Sequence, residues 1–580
     1  MDGSSHDPAV HALAVRAAKA IFAAFEDYND GFRGITRRAQ RRFEAREWQL
    51  GQRDAVERIE LYDHRVERCL AGLVGTLGRH IAEEATWNAA RAEFARLTAE
   101  CPDRQFHHTF FNSLTRKVFA TIGVNPAVEF VAEAGDPHKD AAPVVRISLQ
   151  DGLEQGLASL LAGLPWAAQL HDAARAARFI SAEISSVLAV RGLAPEPARL
   201  EVLEPVFYRA TRAYVVGRIG GEGWTFPLVI AFAHPESGIV ADTVMISDYE
   251  LRPLFGFSRS YFHADLAVVE PVVRWLCSIM PGKPVDELYT VLGRAKQGKT
   301  ERYRSLFRHL AASADPFVHA EGVPGMVMVV FTLNSSELVF KVIRDRFAYP
   351  KTSSREEVME KYRFVFRHDR VGRLVDAQEF RRLRFPRARF APALLEELLE
   401  SAANTCRLDG DDLIIDLCYL ERRLKPLDVY LREAEPAAAR RAIRDYGQAI
   451  RDLALSNVFP GDLLLKNFGV SRHGRVIFYD YDELCLVTEC RFRDLPAARD
   501  HDEEMRAEPW FYVGPEDVFP AQFLEFLGLR GELRDEFLKY HAALLDPDYW
   551  RRLKAAHAAE EHLEVVPYQR RQISHILATP

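Results

Sequence analysis

The run Gly461-Asp462-Leu463-Leu464-Leu465-Lys466-Asn467 is followed by Val476-Ile477-Phe478-Tyr479-Asp480, and these two stretches decide the fold. Two Asp residues and one Asn stand at the ends of apolar, β-branched and aromatic runs, which is typical of a β-hairpin with a carboxylate at each end. In phosphoryl transfer one Asp accepts the proton of the attacking hydroxyl, and an Asn and a second Asp hold the metal that bridges the nucleotide phosphates. Asp and Asn are also frequent in turns, so solvated turn carboxylates are the simpler alternative. The order of the residues favours phosphotransfer, with Asp462 as the catalytic group and Asn467 and Asp480 as metal ligands.

The residues upstream fit the nucleotide-binding half of such an enzyme. Residues 316–320 and 326–333 are predicted strands, and Lys341 interrupts a third apolar strand at 338–343. Such a Lys either extends to solvent from an edge strand or points inward to pair with phosphates. The glycines between the first two strands depart from the kinase pattern G-x-G-x-x-G, but they would still let backbone N–H groups approach a polyanion. We therefore assign nucleotide binding to Lys341 and to the loop residues Ala320, Glu321, Gly322, Val323, Pro324, Gly325 and Met326.

The segment between these two parts has the order expected of a bilobal protein kinase. Residues 413–420 are predicted as a strand, and Glu421 begins a hinge whose backbone would meet the adenine. Pro426 is predicted to open a short helix, and residues 436–456 carry apolar side chains at helical spacing. The fold class is therefore α+β, with a kinase-like domain of two lobes. The acidic partner of the kinase Lys stays open among Glu356, Glu357 and Glu360.

Several motifs are shared with one family. They include Phe110-Phe111-Asn112-Ser113, Phe207-Tyr208-Arg209, His368-Asp369-Arg370-Val371-Gly372-Arg373 and Phe478-Tyr479-Asp480-Tyr481-Asp482-Glu483. On these motifs the sequence resembles the bifunctional isocitrate dehydrogenase kinase/phosphatase of bacteria, over almost the whole chain. The resemblance implies a mostly helical regulatory domain at 1–315 and a kinase-like catalytic domain at 316–580.

The resemblance also implies the chemistry. The expected enzyme phosphorylates a serine of NADP-dependent isocitrate dehydrogenase with ATP and Mg²⁺ or Mn²⁺, and removes the phosphate at the same nucleotide site. This would control flux between the tricarboxylic acid cycle and the glyoxylate bypass, with AMP as an allosteric effector. The family further implies a role in hydrolysis for Asp376 and a substrate-recognition loop at about 489–519. A small-molecule phosphotransferase, which shares the compact Asp-x4-Asn signature, and a pseudokinase scaffold are the alternatives.

One motif is predicted to be a lookalike. Gly293-Arg294-Ala295-Lys296-Gln297-Gly298-Lys299-Thr300 matches the phosphate-loop pattern G-x-x-x-x-G-K-[ST]. A phosphate loop functions between a buried strand and a helix, where its backbone faces the phosphates. Here residues 284–292 begin with Pro and Asp-Glu and then place apolar residues four apart, which predicts a helix. We therefore expect an interhelical turn near the domain boundary.

Composition excludes several other classes. The 580 residues have a net charge of −7 with both signs mixed throughout, so there is no basic footprint for nucleic acid or a membrane surface. The seven cysteines form no C-x-x-C pair and are predicted to be reduced thiols of a cytoplasmic protein. No apolar run approaches the roughly 18 residues of a membrane span. His107-His108, predicted in a loop, and His263 lack a second cluster of metal ligands. The oligomeric state stays open, with a homodimer as one option.

Overall fold

The computed structural model describes residues 8–131, 141–193, 197–256, 261–349, 351, 353–368, 372–496 and 511–568. Contacts between residues divide them into two compact units. The first unit holds the described residues up to His309 together with Tyr568, and the second holds the described residues from Leu310 to Pro567. The sequence predicts a boundary between 315 and 316, whereas the contacts divide the chain after His309 and count Tyr568 with the first unit.

The first unit is built mainly from helices. They are α1 Pro8–Glu44, α2 Trp48–Leu77, α3 Glu84–Leu97, α4 Arg104–Phe119, α5 Leu153–Ala162, α6 Ala173–Val190, α7 Asp248–Leu254, α8 Glu270–Ile279, α9 Val285–Val291 and α10 Ala295–Ala312, the last of which crosses the division. An apolar stripe along α1, which includes Ile21, Phe25, Tyr28 and Phe32, is buried against α2, α3 and α4. The prediction that His107-His108 lie in a loop is wrong, because both are buried within α4.

The first unit also contains a six-stranded antiparallel sheet. Its strands are β1 Val144–Ile147, β2 Arg199–Leu203, β3 Phe207–Arg209, β4 Arg212–Gly221, β5 Trp224–Ala233 and β6 Val240–Met245. Their order is β1-β2-β4-β5-β6, with β3 paired to β4. The sequence pattern of residues 213–218 and 226–232 predicts a hairpin with its turn at 220–223. This hairpin is β4 and β5, but Gly220 and Gly221 pair with Thr225 and Trp224 inside the ladder, so the turn is shorter than expected.

The second unit begins with another six-stranded antiparallel sheet. Its strands are β7 Phe317–His319, β8 Met328–Leu333, β9 Leu338–Ile343, β10 Gln378–Pro386, β11 Cys406–Asp409 and β12 Asp412–Arg422. Their order is β10-β12-β9-β8-β7, with β11 paired to β12. The helices of this part are α11 Arg355–His368 and α12 Pro392–Ser401. One face of the sheet is filled by aromatic rings, since Phe317, Phe331 and Phe340 pack within 5.8 Å of each other.

The rest of the second unit is helical with short strands. The helices are α13 Leu427–Glu433, α14 Pro436–Leu455, α15 Phe523–Phe526, α16 Gly531–His541 and α17 Pro547–Ala558. The strands are β13 Lys425–Pro426, β14 Val458–Phe459, β15 Phe468–Val470, β16 Val476–Phe478, β17 Cys485–Leu486, β18 Arg491–Phe492 and β19 Asp517–Val518. The predicted strand around Lys341 and the helices after Pro426 and Pro436 are confirmed. Among the described helices none is both long enough and apolar enough to cross a membrane.

Candidate active site

The second unit contains a cavity of about 640 Å³ whose floor is one face of its larger sheet. Side chains alternate along a strand, and residues paired directly across antiparallel strands share a face. Lys341 on β9 pairs with Val330 on β8 and with Tyr419 on β12, and Val339 pairs with Glu421. The cavity is lined from this face by Val330, Thr332, Val339, Lys341 and Glu421. The aromatic core lies on the other face, because Phe340 alternates with Lys341.

Lys341 is buried at the bottom of this cavity. Its Nζ lies 2.8 Å from Oε2 of Glu421, and the two side chains are only 9% and 3% exposed. The same Nζ donates to the backbone carbonyl of Tyr479 at 2.8 Å. It also lies 5.2 Å from the centroid of the Tyr479 ring. Of the two options that the sequence left for this Lys, the structure shows the inward one.

Glu421 differs from its predicted position. Strand β12 continues to Arg422, so Glu421 is not the start of a hinge but a strand residue whose side chain is directed to Lys341. The strand extends because Glu421 and Arg422 pair with Val339 and Leu338 of β9. Burial raises the pKa of the Glu421 carboxyl, the ammonium of Lys341 opposes that rise, and the charge of Asp376 adds to it. The assignment of its backbone to adenine stays a prediction.

The predicted catalytic residue Asp462 and the predicted metal ligand Asn467 are joined by hydrogen bonds that backbone carbonyls accept. Asn467 Nδ2 donates to the carbonyl of Asp462 at 3.3 Å, and the carbonyl of Asn467 accepts from Tyr479 N at 3.1 Å. Asp462 Oδ1 accepts from Leu464 N at 3.0 Å, which orients its carboxylate. Because the Tyr479 carbonyl accepts from Lys341, a continuous chain of contacts connects the cavity floor with Asn467 and Asp462.

The turn before Asp462 is closely packed. Gly461 has a φ of +78°, and a Cβ at this position would lie 2.5 Å from the carbonyl oxygen of Glu483. A side chain at 461 would therefore be both strained and sterically excluded. The absence of a side chain at Gly461 thus lets the turn before Asp462 lie close to the segment that follows Asp480.

Asp480 lies in a negative environment. Burial and the neighbouring carboxylate of Asp482 raise its pKa to about 7, against the opposing charges of Lys341 and Lys351. Lys351 lies 2.7 Å from Asp482 and also pairs with Glu483. A carboxylate destabilised in this way is a ready ligand for a cation.

The donor set fits a divalent metal. Asn467 uses its amide nitrogen on Asp462, which leaves its amide oxygen for a cation. Carboxylate and amide oxygens suit Mg²⁺ and Mn²⁺. The residue after Asp480 is Tyr481, which is buried and donates its hydroxyl to the carbonyl of Val375 at 2.5 Å. This anchors the segment where many kinases have Phe-Gly.

Asp376 lies beside the hairpin formed by β15 and β16. Val375 N donates to the carbonyl of Phe478 at 3.1 Å, and Phe478 N donates to the carbonyl of Arg373 at 2.8 Å. Asp376 is buried, and its Oδ2 accepts from Gln378 Nε2 at 2.9 Å. Burial raises the pKa of Glu421, and the negative charge of Asp376 adds to that rise. Spacing alone did not indicate this residue; only the family resemblance did.

Arg373 fixes the segment that carries Asp376. Its guanidinium is buried and binds Asp445 at 2.8 Å and Asp452 at 2.7 Å, both on α14. These two carboxylates raise the pKa of Arg373 above its usual value despite its burial. Of the shared motif 368–373, residues 369–371 lie outside the described part of the chain.

The glycine-containing loop between β7 and β8 is only partly at the cavity. Ala320 and Glu321 line it. The five predicted residues from Gly322 to Met326 are exposed and are not among its lining residues. Gly322 has a φ of +119°, a conformation that favours Gly. The assignment of these five residues to nucleotide binding stays a prediction.

The phosphate-loop lookalike was expected to be an interhelical turn, but of its residues only Gly293 and Arg294 lie between the two helices, and residues 295–300 already belong to α10. The residues before it form α9 and those from Ala295 onward form α10. A Cβ on Gly298 would lie 2.2 Å from Thr290 Oγ1 and 2.5 Å from the carbonyl oxygen of Asp286, so this Gly allows the close approach of the two helices. The motif therefore has a packing role here.

The predicted substrate-recognition segment is described only at its two ends. Strands β18 and β19 pair in parallel, and Asp517 accepts from Gly514 N at 2.9 Å and from Arg493 at 2.5 Å. Residues 497–510, which include the acidic run and Trp510, lie outside the described residues. Its role stays a prediction.

Two family models match the chain. The model of the isocitrate dehydrogenase kinase/phosphatase (AceK) regulatory domain matches residues 18–314, and that of the AceK kinase domain matches residues 315–570. Curated relatives match over nearly the full length. A protein of Xanthomonas campestris pv. campestris (strain 8004), called isocitrate dehydrogenase kinase/phosphatase, is 49% identical and covers 96% of both chains.

Relatives from other organisms carry the same name. One from Xanthomonas axonopodis pv. citri (strain 306) is 48% identical over 98% of this chain and 99% of its own. One from Anaeromyxobacter dehalogenans (strain 2CP-C) is 46% identical over 97% of this chain and 98% of its own. With both domain models and these identities, the chain belongs to the isocitrate dehydrogenase kinase/phosphatase family.

Proposed function

We propose that this protein transfers the terminal phosphoryl group of ATP to a serine of NADP-dependent isocitrate dehydrogenase and also removes it. The observation that carries the proposal is the connected site of the second unit. A buried Lys341–Glu421 pair at the floor of a cavity is joined to Asn467 and Asp462 by hydrogen bonds that backbone carbonyls accept. Family membership gives the protein substrate, because the curated relatives are named for it.

In the kinase reaction each residue has a separate task. Lys341 binds phosphate oxygens of ATP, and the sheet face around Val330 and Val339 contacts the apolar part of the nucleotide. Asp462 orients the serine hydroxyl and accepts its proton. Asn467 and Asp480 would hold Mg²⁺ or Mn²⁺, and the metal would supply positive charge to neutralise the charge that develops between the phosphates.

Phosphorylation would inactivate isocitrate dehydrogenase through electrostatic repulsion of its own substrate. A phosphoserine carries close to two negative charges and would repel an anionic substrate from the dehydrogenase site. Isocitrate would then pass to the glyoxylate bypass instead of the tricarboxylic acid cycle, and dephosphorylation would restore the cycle.

We propose that hydrolysis uses the same nucleotide site. Asp376 lies next to the hairpin that carries Asp480, and its charge acts on the Lys341 partner Glu421. Its role in this proposal is to orient a water toward a phosphoserine held where the terminal phosphate of ATP would be.

Further features of the proposal come from the family resemblance. AMP would act as an effector through the first unit, and the segment at 489–519 would reach the target serine. The protein would act in the cytoplasm on a protein partner and on adenine nucleotides, without nucleic acid or membrane, as a monomer or a homodimer.

The direct test is incubation with labelled ATP and purified isocitrate dehydrogenase. We expect label on a serine of the dehydrogenase and loss of its activity, and neither with Asp480→Asn. Label on a small molecule instead would indicate a small-molecule phosphotransferase. Binding of ATP without any transfer would indicate a pseudokinase scaffold. Either result would overturn the proposal.

A further inference from the structure

Helix α11 has the position in the chain at which a protein kinase supplies the carboxylate for its Lys. Its three candidates, Glu356, Glu357 and Glu360, are all exposed. Glu357 is used in a capping box, since its Oε2 accepts from Ser354 N at 2.7 Å and its own N–H donates to Ser354 Oγ at 3.2 Å. The acidic side chains of α11 therefore lie away from the cavity.

The buried face of α11 is apolar and aromatic instead. Tyr362 stacks on Tyr419 with ring centroids 4.1 Å apart, and it meets Tyr481 edge-on at 5.1 Å. Val358 and Val365 are buried on the same face. This helix contributes packing to the floor of the site, and among its described side chains no carboxylate is buried.

We propose that Glu421 is the positioning residue of Lys341, in place of a helix carboxylate; this rests on the proposed kinase function. Glu421 lies diagonally across from Lys341 on the neighbouring strand, within reach of a long side chain. Of the three ammonium hydrogens, Glu421 and the Tyr479 carbonyl take two, which leaves one for a phosphate oxygen. Because both residues stand on one sheet, the orientation of Lys341 does not depend on where α11 lies.

A double-mutant cycle tests this role. Glu421→Gln should lower kcat for serine phosphorylation on the order of 10²-fold, the cost of a displaced phosphate-binding group. In a Lys341→Met background the same change should alter kcat less than about threefold, because there is no ammonium left to position. Glu421→Asp should recover part of the rate, and the exposed Glu357→Gln is the matched control with wild-type kcat.

Equal losses from Glu421→Gln in both backgrounds would show a structural role and overturn the inference. The same cycle is measured on ATP affinity with a fluorescent nucleotide analogue, which requires no phosphoryl transfer. Absence of phosphoryl transfer to the dehydrogenase by the wild-type protein would contradict the proposed function. Additive effects of the Glu421 and Lys341 substitutions on nucleotide affinity would contradict only the positioning role of Glu421.

Two cysteine thiols follow the predicted metal ligand Asp480 in the chain. Cys485 Sγ and Cys490 Sγ lie 3.5 Å apart. Cys485 is in β17, where it pairs with Phe459 of β14. Cys490 follows a tight turn in which Glu489 N donates to the carbonyl of Leu486 at 3.0 Å. The two sulfurs thus need to approach by about 1.5 Å to reach disulfide bonding distance.

The two thiols differ in character. The hydrogen bond from Cys490 lowers the pKa of Cys485, and the charge of Lys361 acts in the same direction. The same hydrogen bond and burial raise the pKa of Cys490. Cys485, which is also the less buried of the two, is therefore the nucleophile of the pair.

We infer that Cys485 and Cys490 form a peroxide-sensitive switch beside the ladder between β14 and β17. The Cys485 thiolate attacks one oxygen of hydrogen peroxide, the O–O bond breaks, and the released hydroxide takes a proton to become water. Cys490 then attacks Sγ of the resulting sulfenic acid, the S–O bond breaks, and the released hydroxide takes the proton of the Cys490 thiol and leaves as a second water. Two thiols lose two electrons in total, and one peroxide is reduced to two waters.

The disulfide would act through the short ladder between β14 and β17. Phe459 of that ladder comes three residues before Asp462, and Cys485 comes five residues after Asp480. Drawing the 486–490 turn toward Cys485 would therefore shift both sides of the site relative to each other. Loss of both activities on oxidation, reversed by a thiol reductant, is the expected consequence.

The full-length protein is treated with hydrogen peroxide and assayed before and after dithiothreitol. We expect kinase activity to fall at least tenfold and to recover, with a peptide that spans 485–490 lighter by two hydrogens. Cys490→Ser should retain activity and lose the reversible inactivation, whereas Cys277→Ser on α8 should remain sensitive. Full activity of a protein shown by mass to hold the disulfide, or unchanged sensitivity of Cys490→Ser, would overturn the switch.

Discussion

Replacing Lys341 by Ala tests how the nucleotide is bound. The change removes a buried ammonium that donates to Glu421 and to the Tyr479 carbonyl, each at 2.8 Å. A charge-assisted hydrogen bond to a phosphate contributes about 1.5–3 kcal/mol. The dissociation constant of ATP should therefore rise roughly 10- to 150-fold.

The same variant should lose stability, in a way that depends on pH. Removing one partner of a buried ion pair costs about 3–5 kcal/mol, because the other charge is left buried. Glu421 can avoid part of this cost by taking up a proton, and its pKa is already raised by burial. A carboxyl with a raised folded-state pKa is favourable below its unfolded pKa and loses that contribution as pH rises through the folded value. The loss in the free energy of unfolding should therefore be smaller near pH 5 than near pH 8.

The matched control is Lys299→Ala in the phosphate-loop lookalike. Lys299 lies on α10 between packed helices, so ATP affinity should stay within about twofold of wild type. Isothermal titration with ATP and urea unfolding at the two pH values measure both effects. Strong loss of ATP binding with Lys299→Ala and little loss with Lys341→Ala would refute the assignment of the nucleotide site to the second unit.

The remaining predictions concern the hairpin and its neighbours. Asp480→Asn should lower the rate of serine phosphorylation by about 10²- to 10⁴-fold. The circular dichroism spectrum and thermal unfolding of this variant should stay close to wild type. Turnover within about tenfold of wild type would contradict a metal-binding role for Asp480. The Mg²⁺ concentration for half-maximal activity should rise about tenfold from pH 8 to pH 6, because protons compete with the cation for Asp480, whose pKa is raised to about 7; a requirement independent of pH would contradict this. Asp376→Ala should depress release of phosphate from phosphorylated isocitrate dehydrogenase far more than serine phosphorylation, as measured on one preparation, and equal loss of both would contradict a role specific to hydrolysis.

Local sequence patterns were enough to place the main elements of the site. The apolar run around Lys341 has the bounds of β9, and the amphipathic stretch from Pro436 matches α14 to within one residue. The helix before the phosphate-loop lookalike was also predictable from its opening Pro and acidic residues. These features depend on residues close in sequence, which is where periodicity is informative.

Long-range pairing was not predictable in the same way. Glu421 meets Lys341 only because β12 lies next to β9 in the sheet, although β10 and β11 stand between these two strands in sequence and also pair with β12. Of the six-stranded sheet of the first unit only the hairpin of β4 and β5 was predicted, because the short edge strands have weak sequence patterns. The aromatic stretch at His107-His108 suggested a loop, but tertiary packing against Phe22 and Phe25 buries it in a helix.

The central claim is that one nucleotide site serves both phosphorylation and dephosphorylation. Its most direct test is the release of phosphate from phosphorylated isocitrate dehydrogenase, measured with and without ADP and in the Asp480→Asn variant. The shared site predicts release only when adenine nucleotide is present and no release by Asp480→Asn. Release at the full rate without nucleotide, or by Asp480→Asn, would contradict it.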